Sequence, residues 1–292
     1  MIVVANKPGQ LGNILYVYSN LIGRAIESDL KLANTALDNY ADLFPATAGD
    51  LFCRFPPTKS RIRATRRRRR FIYHLVHFAA RILSQLRLDL PFIRQITIRD
   101  WVTEINLGDP QFLAAAKPGQ LLLLRGWLFR DIPAVQKHAD EIRKFFRPRE
   151  EYLQNVEAII KRAREGVDVL VGVHIRHGIL YYANVREYFY PTVRYVEMMH
   201  EIVGLFPNQR VGFLICSDWP QDPELFSRFR VSFGSNHLIE DLYAFARCDY
   251  LVGPPSTFTV WASFYGNVPL NVIRDPNQTQ SIADFQVRLP SD

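Results

Sequence analysis

The sequence predicts an α/β protein built on open parallel sheets, and three observations carry that expectation. The chain opens with an apolar run, IVVA at residues 2–5, followed by the glycine-containing turn NKPGQLGN and a stretch of helical period. Beyond residue 150, short valine-rich and apolar runs alternate with segments whose apolar residues recur three and four apart. The longest of those runs, VDVLVGVHIR at 167–176, is apolar without strict alternation, as a strand covered on both faces must be.

Taken in order, IVVA reads as a strand and Ile14–Ile26 as the helix after the glycine turn. Residues 42–70 contain prolines and an arginine run with little periodicity, so a loop or insertion is expected there. Phe71, Leu75, Phe78, Ile82, Leu83 and Leu86 then recur at helical spacing while His74, His77, Arg81 and Gln85 fall between them, which predicts an amphipathic helix. QLLLLRG at 120–126 reads as a strand, and Pro133 opens a helix that stops before Arg147-Pro148. A chain of 292 residues accommodates two domains, and the boundary is set here: 1–146, with a basic loop and amphipathic helix at about 54–93, and 147–292. The second domain continues with a helix in 152–163, the strand 167–176, a helix at 192–205 and a strand at 211–217. A helix near 238–247, the strand DYLVG, a helix from Ser256 to Tyr265 and a strand at 269–273 complete it.

The net charge of +7 is local. Residues 61–70, RIRATRRRRR, hold seven arginines and no acid, so the rest of the chain is balanced. Such a run next to an amphipathic helix suits an anionic membrane surface through Arg66–Arg70. The alternatives are a solvated loop or a nucleic-acid contact, and for the last no fold signature or interleaved aromatics accompany the run, so no nucleic acid is expected. The apolar stretch Phe71–Phe92 is interrupted by too many polar groups to cross a bilayer. Three widely spaced cysteines, Cys53, Cys216 and Cys248, form neither a disulfide framework nor a zinc pattern, and no signal peptide is visible at Met1. The expectation is a cytoplasmic protein, peripheral at most to the inner face of a membrane.

Ligands of parallel sheets bind at the carboxyl ends of strands, which directs attention to the residues placed there. HIRHG follows the strand 167–176, so His174, Arg176 and His177 emerge at such an end. A guanidinium is always charged and presents a planar fork suited to a diphosphate, although a surface ion pair is the plain alternative for Arg176. Ser256 stands at the N-cap of a helix whose first amides can hold phosphate, or that is simply capped. Asp218 follows a further strand, where it can accept from a nucleoside or close its own loop. Gly9, Gly12 and Asn13 lie in the first turn, where backbone and ligand can approach closely, though a turn needs no ligand.

In their order, GQLGN, HIR, SDW and EDLYAFARCDYLVGPPSTF resemble the α-1,2-fucosyltransferase family, with more distant similarity to the α-1,6 and protein O-fucosyltransferases. The family pattern is G-G-L-G-N-Q, H-x-R-R-x-D, S-D-D, then D-L-Y with S-x-F-S-W-W. This chain keeps Gly9, Leu11, Gly12 and Asn13, and has His177 and Ile179 where the family has its second arginine and acid. The resemblance implies a GT-B fold, two Rossmann-like domains facing across a cleft, and an inverting transfer of L-fucose from GDP-fucose to a glycan or glycolipid hydroxyl. It implies that Arg176 binds the β-phosphate, that His174 and Asp218 contact the guanosine, and that Ser256, Thr257 and the Phe258 amide hold the diphosphate. It further implies that Asn13 lies near sugar and acceptor, with Gly9 and Gly12 giving room. No metal or other cofactor is expected, in keeping with the absence of any D-x-D triplet. His177 and Ile179 leave the donor sugar open between fucose and another, and a non-catalytic protein on the same fold is the alternative. No general base is identified; Glu27, Asp29, Asp100 and Glu104 are the acids available in the first domain.

Overall fold

The computed structural model describes residues 1–86, 90–100, 102–178 and 186–290. The chain divides into two compact units, Met1–Arg149 and Glu150–Pro290, against the expected boundary at 146/147.

In the first unit, strand β1 (Ile2–Val4) leads through the glycine turn into helix α1 (Leu11–Ser28), and β2 (Leu32–Asn34) pairs with β1 in parallel. The short β3 (Arg54–Phe55) closes that edge antiparallel to β2. Helix α2 (Arg66–Leu86) crosses to β4 (Ile93–Thr97), a strand the sequence reading passed over. After β5 (Ile105–Asn106) come β6 (Leu121–Arg125) and β7 (Phe129–Arg130). The main sheet runs β3-β2-β1-β6-β4, and β5 and β7 form a separate two-stranded ribbon. The helix expected at Pro133 is two, Ile132–Lys137 and Ala139–Phe145. The first approaches α1 so closely that a Cβ on Gly23 would stand 2.9 Å from the Ala134 carbonyl carbon.

Two expectations about the basic segment need correction. Residues 66–70 are not loop: they are the opening of α2, and Arg69 is 1% exposed. Its Nη1 donates to Asp42 Oδ1 at 2.8 Å, its Nε to the Asp50 carbonyl at 2.9 Å and its Nη2 to the Ala48 carbonyl. Arginine is a good helix former, and one member of the run satisfied by three acceptors anchors the helix. Arg69 therefore leaves the set available to a membrane surface. The predicted apolar stripe also faces mainly outward: Phe71, Leu75, Phe78 and Leu86 are 59–69% exposed, while Arg69, Tyr73 and Ala80 are buried and Val76 and Leu83 pack on the sheet.

The second unit holds β8 (Val169–Ile175), β9 (Val211–Ser217), β10 (Arg230–Phe233), β11 (Tyr250–Gly253) and β12 (Leu270–Val272), all parallel, in the order β10-β9-β8-β11-β12. Helices α3 (Glu150–Ala163), α4 (Thr192–Leu205), α5 (Leu238–Phe245) and α6 (Thr257–Gly266) complete a doubly wound unit. Val169, Val171, Val173 and Ile175 pack with Tyr195, Met198, Met199 and Ile202 of α4. The alternate residues face the other way, where a Cβ on Gly172 would stand 2.7 Å from the Phe245 ring. Two burials thus make β8 apolar on both faces, and its period gives no hint of which side is which.

Candidate functional site

The direction of winding reverses between β8 and β11, and open α/β sheets bind ligands outside the carboxyl ends of the strands at such a point. HIRHG continues from β8 and GPPSTF from β11, so the two segments singled out in the sequence leave the sheet side by side. Gly253 permits this: a Cβ there would lie 2.9 Å from His174 Cβ. The sequence reading did not select Gly253, although a glycine ending an apolar strand is the signal for close approach.

His174, the last-but-one residue of β8, is 6% exposed, with its ring 5.1 Å from that of Phe258 and 5.9 Å from that of Phe245. Burial first, and the nearby Arg176 charge second, push its pKa well below the ordinary imidazole value, so the ring is neutral. Its Nδ1 is buried without a hydrogen-bond partner, a cost that a bound group able to hydrogen-bond would remove.

Arg176 reaches across the switch point. Its Nη1 donates to Ser256 Oγ at 3.2 Å, and its Nε stands 3.6 Å from Asp218 Oδ2. Ser256 is in extended backbone and its Oγ accepts from the Phe258 amide at 3.2 Å, which makes it the N-cap of α6. Thr257 is the first residue of that helix. A guanidinium and the positive end of a ten-residue helix therefore converge on one point, the arrangement that receives an anion.

Asp218 holds a turn of its own sheet end. Its Oδ1 accepts from the amides of His177 at 2.7 Å and Gly178 at 2.8 Å, tying down the turn that follows β8. Gly178 has to be small, since a Cβ would lie 2.7 Å from Asp218 Oδ2. His177 is fixed as well: Nε2 donates to the Tyr190 carbonyl at 2.6 Å, Gln221 Nε2 donates to its Nδ1 at 3.2 Å, and Phe189 lies 4.7 Å away ring to ring. Tyr190 and Gln221 were not found from sequence, because neither belongs to a motif. Asp241 of the DLY segment is buried and accepts from the Ser235 amide at 2.7 Å, holding the loop after β10. Ile179 lies outside the described residues.

Gly9, Gly12 and Asn13 form a separate group in the first unit. Gly9 has φ +144°, and a Cβ there would meet Asn13 Nδ2 at 2.4 Å. Asn13 Nδ2 donates to the Pro8 carbonyl at 3.1 Å, and Gly12 is buried in the first turn of α1. Glycine is thus required at position 9 both by backbone conformation and by the Asn13 amide.

No protein-family model and no curated protein matches the sequence. Solved structures match by fold. A mutant of Arabidopsis thaliana FUT1 in complex with GDP superposes with TM-score 0.60 at 13% identity, covering 98% of this chain and 73% of that one. Fucosyltransferase NodZ from Bradyrhizobium gives 0.54 at 13% identity over 92% and 93% of the two chains. POFUT1 in complex with GDP-fucose gives 0.51 at 13% identity over 91% and 94%. The chain has the GT-B-like fold of these fucosyltransferases, with a Rossmann-like sheet in each unit.

Proposed function

We propose that this chain is an inverting, metal-independent glycosyltransferase that moves a sugar, L-fucose by preference, from a GDP-linked donor to a hydroxyl of a glycan acceptor, in an α-1,2-like linkage. The observation that carries the reading is the 3.2 Å approach of Arg176 Nη1 to Ser256 Oγ at the switch point of the second sheet. A diphosphate lying between them accepts from the guanidinium and from the first-turn amides at Thr257 and Phe258. As the glycosidic bond breaks, the β-phosphate oxygen gains charge, and a fixed guanidinium stabilises that charge with little reorganisation. Arginine and helix amides here take the part that a divalent cation plays on other nucleotide sugars.

Neutral His174, with Nδ1 buried and unbonded, is assigned to the nucleoside. Asp218 acts through the turn it holds rather than by direct donor contact, a role that fits its two amide bonds better than the guanosine contact expected from the resemblance. Asn13, with Gly9 and Gly12, is assigned to the sugar and acceptor side in the first unit. The outward apolar face of α2, flanked by Arg66, Arg67, Arg68 and Arg70, is assigned to an anionic membrane surface. Among the described residues no helix is long and apolar enough to cross a membrane.

One observation favours a second donor. Where the family has an arginine, His177 is committed to the Tyr190 carbonyl and offers the site no guanidinium fork. A GDP-sugar other than GDP-fucose is the reading this supports. Calorimetry with GDP, GDP-fucose, GDP-mannose and UDP distinguishes them: GDP and one GDP-sugar are expected to bind, and binding of UDP without GDP would overturn the assignment.

A further inference from the structure

The first unit has an open pocket of about 440 Å³ lined by none of the residues assigned above to the donor. It sits at the carboxyl ends of three neighbouring parallel strands: Asn6 follows β1, Arg125 and Gly126 end β6, and Thr97 ends β4. Helix α2 adds Arg81 from one side and Arg99 follows β4, so three guanidiniums and no carboxylate line it. Its size falls within the range of small-molecule sites, roughly 300–1,000 Å³.

Elsewhere in this unit Arg24 is paired with Asp131, Arg54 with Asp50 and Arg69 with Asp42. The guanidiniums of Arg81, Arg99 and Arg125 have no ion-pair partner among the described residues. Arg125 Nε and Thr97 Oγ1 are moreover buried without a hydrogen bond, a donor and a hydroxyl left unmatched in a folded wall. The neighbouring acid, Asp100, is spent on the Val102 and Thr103 amides and the Thr103 hydroxyl. The wall itself is fixed. Gly126, at φ +133°, donates its amide to Asn6 Oδ1 at 2.8 Å, binding the loop after β6 over the end of β1. His77 Nδ1 donates to the Ala5 carbonyl at 2.9 Å and holds α2 against the same strand end.

Charge without a counter-charge, forked donors and buried unmatched polar atoms together specify an oxyanion, and the fork geometry favours a phosphate group. We propose that this pocket binds a phosphate or diphosphate group of the acceptor, so that the acceptor is a phosphorylated or diphosphate-linked glycan. Calling the ligand an acceptor rests on the transferase reading above; the binding of the anion does not.

The test uses the full chain saturated with GDP, which occupies the Arg176 site, and titrates inorganic pyrophosphate calorimetrically. Wild type is expected to bind at one site, and the Arg81→Gln/Arg125→Gln double variant at least tenfold more weakly, with GDP affinity and unfolding midpoint unchanged. Ser84→Glu, which places a carboxylate on the pocket wall while keeping all three arginines, is expected to weaken pyrophosphate as well. Equal pyrophosphate affinity in wild type and both variants overturns the proposal. Transfer assays then compare a neutral oligosaccharide, its soluble phosphate ester and the same glycan on a lipid diphosphate in vesicles. Both phosphorylated acceptors are expected to show a lower KM than the neutral one, and the double variant to lose the difference. Equal use of the two identifies the phosphate alone as the recognised group, preference for the vesicle form identifies a lipid-linked one, and equal use of the neutral acceptor overturns the acceptor assignment. Loss of GDP binding with arginine-dependent pyrophosphate binding intact would fell the transferase reading and leave the pocket standing.

Discussion

Arg176 has side-chain neighbours of opposite kinds, among them the Ser256 hydroxyl at 3.2 Å and the Asp218 carboxylate at 3.6 Å. The first points it at a helix N-terminus and the second keeps it from swinging away. Preorganised donors of this kind each contribute about 10²–10³ in rate. Arg176→Ala is expected to lower kcat by at least that factor, with an unchanged unfolding midpoint because the side chain is partly exposed. Arg176→Lys keeps the charge and loses the fork, so its kcat is expected between the two, and normal turnover in Arg176→Ala would refute the role. The same substitution removes one of the two causes that depress the His174 pKa, so that value should rise while burial continues to hold it below the ordinary range. These roles were partly legible beforehand. An arginine after a buried strand reads as a ligand candidate or a surface ion pair, and Asp218 as a nucleoside contact or a loop clamp; the His177 and Gly178 amides on its Oδ1 show the clamp.

At the scale of elements, α2 shows what periodicity tells and what it conceals. The stripe Phe71, Leu75, Phe78, Leu86 was plain in the sequence, but spacing does not say which side of an amphipathic helix meets the protein. That was decided by Asp42, Ala48 and Asp50, which bring acceptors to Arg69 from 19 to 27 positions upstream and so draw an arginine inward. β4 and β10 escaped notice for a related reason: both are edge strands of four or five residues, half-buried, with mixed composition. The long central strands β8 and β9, whose apolar runs need no partner to be recognised, were legible almost residue for residue. For α2 the proposed consequence is a surface that meets an anionic membrane. In flotation with vesicles, the protein is expected to bind anionic lipid and to lose most binding in Phe71→Ser/Phe78→Ser, with basic residues contributing roughly 1 kcal/mol each near the surface. Arg69→Gln should not mimic the loss of Arg67 or Arg68 in this assay, and equal binding to zwitterionic vesicles would remove the electrostatic part of the account.

For the whole molecule, the two units repeat one device, a parallel sheet whose strand ends gather charge. In the second unit it is Arg176 beside a capped helix, and in the first it is Arg81, Arg99 and Arg125 around a pocket. In the proposed mechanism Arg176 and the helix amides stand in for a bound cation, so transfer is expected to proceed at an unchanged rate in excess chelator; a rate restored only by added magnesium or manganese would contradict that mechanism. The switch point has a further consequence for how the second unit comes together. Arg176 and Ser256 are 80 positions apart along the chain, so bringing β8 and β11 side by side closes a long loop, an entropic cost borne before their contacts form. A diphosphate held by both segments binds only after that closure. On the proposed function the donor would then be a folding ligand as well as a substrate: at a hundredfold excess over its Kd it would deepen the native state by about 2.7 kcal/mol, and depletion of nucleotide sugar would bring the chain nearer to unfolding.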